Sequence, residues 1–324
     1  LANLFSPMLP LNIGVGIGEI IDEFGKALYE EIDYLKEAKN AERFSTLFKN
    51  NQNVFIPKVE KSYSSKKVIT TSWIDGVKLK DRNELVRNDL IPSSFIRTGV
   101  ISGLQQLFEH GYFHADPHPG NMFALDGGDE KNGHIAYVDF GMMDTISDKD
   151  RLTLIRAIVH LINNEYYLLA KDFQNLGFLS DKQDLNLIVN PLKEVLGGSL
   201  GEEVGNFNFK KITDKFSKLM YSYPFRVPSR FALIIRAVVS QEGLALRLDP
   251  EFKIIRIAYP YIAKKLLTDD SDEIVNILLQ VLFDKEGKIQ LEKLESLLNI
   301  LFKDSININT DLIPVANASL KLFL

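Results

Sequence analysis

The chain has no cysteine. Disulfides, thiolate metal centres and a cysteine nucleophile are therefore excluded, and the composition fits a reducing compartment. Long apolar runs are also missing. No stretch reaches the roughly 18 residues needed to span a bilayer; the best, 231–239, is short and contains Arg236. No signal peptide is visible at the start, where the first residue is Leu1. Positive charge is not in excess. The 38 Lys and Arg against 43 Asp and Glu leave a net charge of -5, which argues against nucleic acid as a partner because phosphate backbones need a basic surface. Histidine is scarce, and of the five present His110, His134 and His160 sit in no ligand-like pattern.

What is present is an ordinary globular composition, 45% apolar and 25% charged, in a chain of 324 residues, long enough for one large core or two lobes. Residues 1–14 are irregular. The spacing predicts a helix over 17–50, with Ile20, Ile21, Phe24, Leu28, Ile32 and Leu35 at three- and four-residue steps. The polar turn 50–53 ends it. Strands are expected at 54–59 and 67–73, with Asp75 and Gly76 as a turn or hinge after the second. A helix over 92–111 has Pro92 in its first turn and Gly111 past its end. A loop, 114–121, is followed by two short strands, 122–125 and 135–138, around the glycine-rich tip 127–133. Beyond Gly141 the pattern is helical, at 152–162, 166–176, 185–196, 212–220, 229–246 and 254–267, with a tail pair at 272–283 and 291–302. The expected division is 1–74, 75–268 and 269–324.

The stretch that carries chemistry is His114-Ala115-Asp116-Pro117-His118-Pro119-Gly120-Asn121, followed by Asp139-Phe140-Gly141. Phosphoryl transfer in the protein-kinase pattern needs an Asp that orients or deprotonates the nucleophile. It also needs an Asn five residues later and the Asp of a following DFG, both as metal ligands. Asp116, Asn121 and Asp139 have that order and spacing. Hard cations such as Mg2+ take oxygen ligands, and the Asn121 amide and Asp139 carboxylate are suitable. Either motif alone is a modest signal; both together, with strand-like sequence between them, are a strong one. His114 reads as a structural brace against the DFG segment, and His118 as loop-shaping or substrate-contacting. Pro117 and Pro119 stiffen the loop, and Gly120 is a candidate for a positive-φ turn. A metal hydrolase built on alternating His114, Asp116 and His118 is the rival. The two prolines oppose the regular strand it needs, and it leaves Asn121 and the DFG unused.

Aminoglycoside and choline phosphotransferases share this loop, so another segment must separate the alternatives. Residues Glu30-Glu31-Ile32-Asp33-Tyr34-Leu35-Lys36-Glu37-Ala38-Lys39-Asn40-Ala41-Glu42-Arg43-Phe44 closely resemble the ELDYxxEAxNAxxF signature of the UbiB/AarF/ADCK family of atypical kinases. The resemblance runs over roughly 17–268, and the stretches 224–245 and 258–267 look most like cyanobacterial and plastid members. It implies an α+β, protein-kinase-like fold with a partial N-lobe and a large, mainly helical C-lobe. Glu37 then corresponds to the N-lobe helix glutamate that pairs with a strand lysine holding the nucleotide phosphates. Glu31 and Asp33 correspond to the family's ExD residues. Without the resemblance, the acids on this helix read as a solvated face.

The chain also departs from the family pattern. It has no KxGQ motif, alanine-rich nucleotide loop or glycine-rich kinase loop. Gly14-Val15-Gly16-Ile17-Gly18 has the wrong spacing and precedes a helix. Lys26 is the one lysine before Glu30, and it falls inside the same predicted helix. The expectation is an N-terminally truncated member whose clamp lysine lies upstream. No APE-type segment follows the DFG, which argues against peptide substrates.

The resemblance implies an atypical kinase or ATPase using ATP and Mg2+. Asp116 is catalytic, Asn121 and Asp139 bind metal and nucleotide, and Trp73, Ile74, Asp75 and Gly76 face the adenine. Phe140 and Gly141 complete the family motif. The process implied is prenyl-quinone or isoprenoid lipid biosynthesis, with a lipid or quinone-precursor ligand and peripheral membrane contact on the cytoplasmic side or in a plastid. The alternatives are a non-catalytic nucleotide-binding regulator and a small-molecule phosphotransferase.

Overall fold

The structure is a computed structural model, and it describes residues 33–129, 132–196, 223, 225–283, 286–291, 293–295 and 297. The described residues fall into two compact units. One comprises those of Leu1–Thr145 and Arg226–Phe252, the other those of Ile146–Phe225 and Lys253–Leu324. The expected helix at 212–220, most of the one at 291–302, and Glu31 with everything before Asp33 lie outside the described residues.

The first unit opens with α1 (Tyr34–Leu47). Asp33 is not helical here. It is the N-cap, and its carboxylate accepts the Leu35 N–H at 3.1 Å, which satisfies an otherwise orphaned donor. The helix therefore begins at Tyr34, where a continuous helix over 17–50 was expected. Ala38, Ala41 and Phe44 form its buried stripe. Strands β1 (Val54–Phe55) and β2 (Val77–Lys78) follow, both shorter than or displaced from the expected strands. The segment 67–73 forms isolated bridges, Val59 with Thr71 and Ser65 with Val68, rather than a strand. Two helices come next, α2 (Arg82–Arg87) and α3 (Pro92–Gln105). The latter continues as one π-helical segment over Gln106–His110, closed by Gly111 at φ 61°, a left-handed cap position that glycine takes without strain.

Four strands carry the loops that matter: β3 (Tyr112–His114), β4 (Met122–Leu125), β5 (His134–Tyr137) and β6 (Met143–Thr145). One sheet has the order β1-β5-β4-β2, with β1 and β5 parallel and the other pairs antiparallel. The second sheet is the antiparallel pair β3-β6. Phe44, Phe113, Met122, Ile135, Tyr137 and Phe140 are buried in this unit's core. It is completed by α7 (Ser229–Leu248), which docks on α3 through Leu244, Ala245 and Leu248 against Phe95, Ile96 and Val100.

The second unit is helical, with α4 (Asp148–Ile162), α5 (Tyr166–Asn175), α6 (Asn186–Leu196), α8 (Ile255–Thr268) and α9 (Asp272–Leu282). Helix α4 starts four residues ahead of the expected 152 because the Ser147 hydroxyl caps it, accepting the Asp150 N–H at 3.1 Å. Among the described residues no helix is long and apolar enough to cross a membrane.

Candidate active site

Two antiparallel pairs bring the distant motifs together. In the β4-β5 hairpin Met122 faces Tyr137, and the Val138 N–H donates to the Asn121 carbonyl at 3.0 Å. Asn121 is thereby placed beside the start of the Asp139-Phe140-Gly141 segment. In the β3-β6 pair His114 faces Met143, and the Ala115 N–H donates to the Met142 carbonyl at 2.9 Å. The loop carrying Asp116 and the segment after Gly141 are thus sewn to each other on both sides.

Within the loop, backbone bonds from His118 N to Asp116 O (2.8 Å) and from Asn121 N to His118 O (2.9 Å) make consecutive turns. The His118 Nδ1 accepts the Gly120 N–H at 2.9 Å. Gly120 is not in the left-handed region. Its need is steric: a Cβ there would lie 2.6 Å from His118 Cε1. His114 is 1% exposed. Its Nδ1 accepts the Asp116 N–H at 3.1 Å, so Nε2 carries the hydrogen facing the Val138 carbonyl at 3.5 Å. Burial pushes its pKa down, against opposing effects of that carbonyl and of the Asp139 and Asp116 carboxylates. A neutral, buried imidazole clamping two segments has a structural task. The backbone N–H of His114 donates to Gln106 Oε1 at 2.8 Å.

Helix α1 grips the same segment from the other side. The Phe140 N–H donates to Glu37 Oε1 at 3.2 Å, and the Asn40 amide donates to the Phe140 carbonyl at 2.8 Å. Asn40 is fixed in turn by the Tyr112 hydroxyl, which donates to its Oδ1 at 3.0 Å. The Phe140 ring packs against Phe44 (centroids 5.3 Å apart) and His114 (5.9 Å). Asp139 itself has φ 63°, a left-handed conformation that costs a non-glycine residue on the order of 1 kcal/mol or more. Aspartate tolerates it better than most.

Glu37, His114, Asp116, Asn121, Asp139, Phe140 and Gly141 line one cavity of about 570 Å³, together with Tyr34, Pro57, Ile69 and Thr71. Three of these residues are carboxylates, and among the described residues no lysine or arginine lines the cavity. Burial raises the Glu37 pKa, the Asp139 carboxylate raises it further, and the Phe140 N–H bond acts the other way. The donor chemistry fits a hard divalent cation. The Asn121 amide nitrogen is engaged with the Asp116 carbonyl at 3.4 Å, which leaves its oxygen, with the Asp139 carboxylate, as ligands. No group of three or more His, Cys, Asp or Glu that could hold a metal occurs among the described residues. A cation here would complete its shell with phosphate oxygens and water, which is magnesium's habit.

Not every expected site residue reaches this cavity. Trp73, Ile74, Asp75 and Gly76 are not in its lining, and Trp73 is 90% exposed. Gly76 instead lies against β4, where a Cβ would sit 2.6 Å from the Ala124 carbonyl oxygen. From that part of the chain the lining is Ile69 and Thr71. Asp33 caps α1, and His118 lies with its Nε2 4.0 Å from Asp116 Oδ2. Asn40 belongs to the quoted signature, although its role in the site was not read from it; Gln106 and Arg236 also have a part in the site and carry no motif signal. The Arg236 Nη2 is 3.0 Å from Asp116 Oδ2. Their partners are from 8 to 120 residues away in sequence, so no local spacing reveals them.

The sequence is similar to known proteins over most of its length. The ABC1 atypical kinase-like domain matches residues 2–173, a span that holds Glu37, Asp116, Asn121 and Asp139. An uncharacterized protein of Synechocystis is 49% identical over 99% of the chain, which covers 55% of that protein. ACTIVITY OF BC1 COMPLEX KINASE 1, a chloroplastic protein of Arabidopsis thaliana, is 42% identical over 89% of the chain and 41% of its own length. An uncharacterized chloroplastic aarF domain-containing protein kinase of the same plant is 35% identical over 86% of the chain and 38% of its own length. The chain thus spans about half the length, or less, of these curated relatives. Among solved structures, the Rv3197-erythromycin complex from Mycobacterium tuberculosis aligns with a TM-score of 0.53 at 20% identity. That alignment covers 74% of this chain and 60% of the other, and it shares the kinase-like fold.

Proposed function

The chain belongs to the ABC1 atypical kinase-like family, and from that premise we propose that its cavity binds Mg-ATP and carries out phosphoryl transfer or ATP hydrolysis. The observation that supports this reading is the convergence of Asp116, Asn121, Asp139 and Glu37 on one cavity from three separate stretches of chain. Its volume is of the size that takes a small-molecule ligand. Asn121 and Asp139 would hold magnesium, and bound magnesium would neutralise phosphate charge as it builds up in transfer. Asp116 would receive the proton of the acceptor hydroxyl as its oxygen joins the terminal phosphorus and the bond to the departing ADP oxygen breaks. Asp139, held in its left-handed conformation by the Glu37 and Asn40 bonds to Phe140, is preorganised rather than waiting to be recruited.

The finer assignment follows the family resemblance. The acceptor would be a lipid-soluble headgroup of prenyl-quinone or isoprenoid metabolism, reached from the membrane surface on the cytoplasmic side or in a plastid. The cyanobacterial and chloroplastic relatives support that setting. The test is turnover of γ-labelled Mg-ATP by the full-length gene product, with and without vesicles containing a prenylated phenol. Label release or transfer should fall about 10²- to 10⁴-fold in Asp116→Asn, the usual weight of a positioned acid–base group. Nucleotide binding with no turnover in any condition would instead support a non-catalytic regulator.

A further inference from the structure

We infer that Arg236 is the positioning residue for Asp116, fixing which carboxylate oxygen faces the acceptor; this rests on the phosphotransfer reading above. The backbone of Asp116 is tied down by the His114 Nδ1 bond to its N–H and by the His118 and Asn121 bonds to its carbonyl. None of these restrains the carboxylate, whose terminal torsion has a broad well. The side chain is 24% exposed. Arg236 supplies the missing restraint. Its Nη2 lies 3.0 Å from Oδ2, and the His118 Nε2, at 4.0 Å, approaches the same oxygen. Both partners converge on Oδ2, so Oδ1 is the oxygen left to take a proton. A charge-assisted bond to a planar guanidinium is directional enough to hold that orientation.

Arg236 is itself delivered by a fixed element. Helix α7 approaches α3 so closely that a Cβ on Gly103 would collide with the Gln241 amide, and Gln241 Nε2 lies 3.5 Å from the Gly99 carbonyl it donates to. Leu244, Ala245 and Leu248 pack beside this contact. The second guanidinium nitrogen, Nη1, lies 3.8 Å from Met142 Sδ. The arginine therefore spans from the loop of Asp116 to the segment just after Asp139-Phe140-Gly141. It also adds one cation beside a cavity lined by three carboxylates. Its side chain is 49% exposed, and an ion pair so open to water contributes little to folding. Loss of Arg236 should therefore appear in the chemistry and not in stability.

The test compares Arg236→Ala, Arg236→Lys, Asp116→Asn and the Arg236→Ala/Asp116→Asn double variant in the full-length protein. Phosphate release from Mg-ATP, Mg-ADP affinity and melting temperature are measured together. Arg236→Ala should lower kcat by about 10- to 100-fold, the scale of a misplaced catalytic group. Mg-ADP affinity should stay within about twofold and the melting temperature should not move. Arg236→Lys should recover part of the rate. In the Asp116→Asn background, removing Arg236 should cost nothing further, because a residue acting through another is silent once that partner is gone. An unchanged or raised kcat in Arg236→Ala overturns the inference. So does a loss that is equally large without the Asp116 carboxylate, or one that tracks a fall in melting temperature. A wild-type protein that neither binds nor turns over Mg-nucleotide is a separate result. It removes the phosphotransfer reading, and this inference with it.

Discussion

The two units of this chain treat their clustered carboxylates in opposite ways. In the helical unit Asp172 on α5 is 2% exposed, with the Arg156 Nε 2.7 Å from one oxygen and the His160 Nδ1 2.6 Å from the other. Every oxygen has a partner, and the group locks α4 to α5. In the other unit Glu37 and Asp139 share a cavity. Each receives a backbone N–H, from Phe140 and Gly141 respectively, and among the described residues neither is in an ion pair with a lysine or arginine. Burial of Glu37, and then the neighbouring Asp139 carboxylate, raise the Glu37 pKa. A compensated buried carboxylate serves architecture, whereas an uncompensated pair in a cavity is the arrangement that functional sites keep.

Removing one member from each side should separate them most sharply. Asp172→Ala leaves the half-buried Arg156 without its counter-charge and the buried His160 Nδ1 without its hydrogen-bond partner, and should cost about 3–5 kcal/mol in chemical denaturation. Asp139→Asn removes a carboxylate that repels Glu37 and should leave the midpoint unchanged or slightly higher. Equal losses in the two variants would break the comparison.

A smaller effect should come from Asn40→Ala. It leaves the Phe140 carbonyl and the Tyr112 hydroxyl without the amide that joins them, at a cost of about 1–3 kcal/mol. In the cavity, then, the neutral brace and not the charges should carry the stability. Gly120→Ala should cost about 1 kcal/mol as the His118 ring moves aside. It should disturb turnover more than folding, because His118 lies beside Asp116. The smallest effect belongs to Glu37→Gln, which keeps an oxygen for the Phe140 N–H. A carboxyl whose folded pKa is raised gives its full contribution below the unfolded value of 4.5 and loses it as pH rises through the folded value. Glu37→Gln should therefore melt slightly higher than wild type at neutral pH, and the gap should close as pH falls toward 4.5. A gap that widens on acidification would reverse the sign of this argument.

The parts of the site that rest on short-range spacing were legible in the sequence. Asp116 to Asn121 is a single loop, the strands at 122–125 and 135–138 bracket a hairpin, and the helix from Pro92 carries its start and stop signals. What was not legible depends on long-range pairing. Strand β6, Met143–Thr145, is three residues with no apolar alternation and exists because β3 pairs with it. The β-rich stretch 67–73 reads as a strand, yet it forms isolated bridges, and pairing with β4 goes to Val77–Lys78. Arg236 looks like a surface residue of an amphipathic helix, and Asn40 is a signature residue without an evident task, until their partners, 120 and 100 residues away, are in place.

The most direct test of the central claim is a thermal-shift titration of the full-length protein with ATP and ADP, with and without magnesium, alongside Asp139→Asn. A ligand that binds only the folded state raises the melting temperature by mass action, by an amount set by RT ln(1 + [L]/Kd). The account predicts a magnesium-dependent rise with both nucleotides in the wild type and none in Asp139→Asn. A wild type that shows no magnesium-dependent rise at millimolar nucleotide would contradict it, and would leave the cavity as an inherited scaffold without its chemistry.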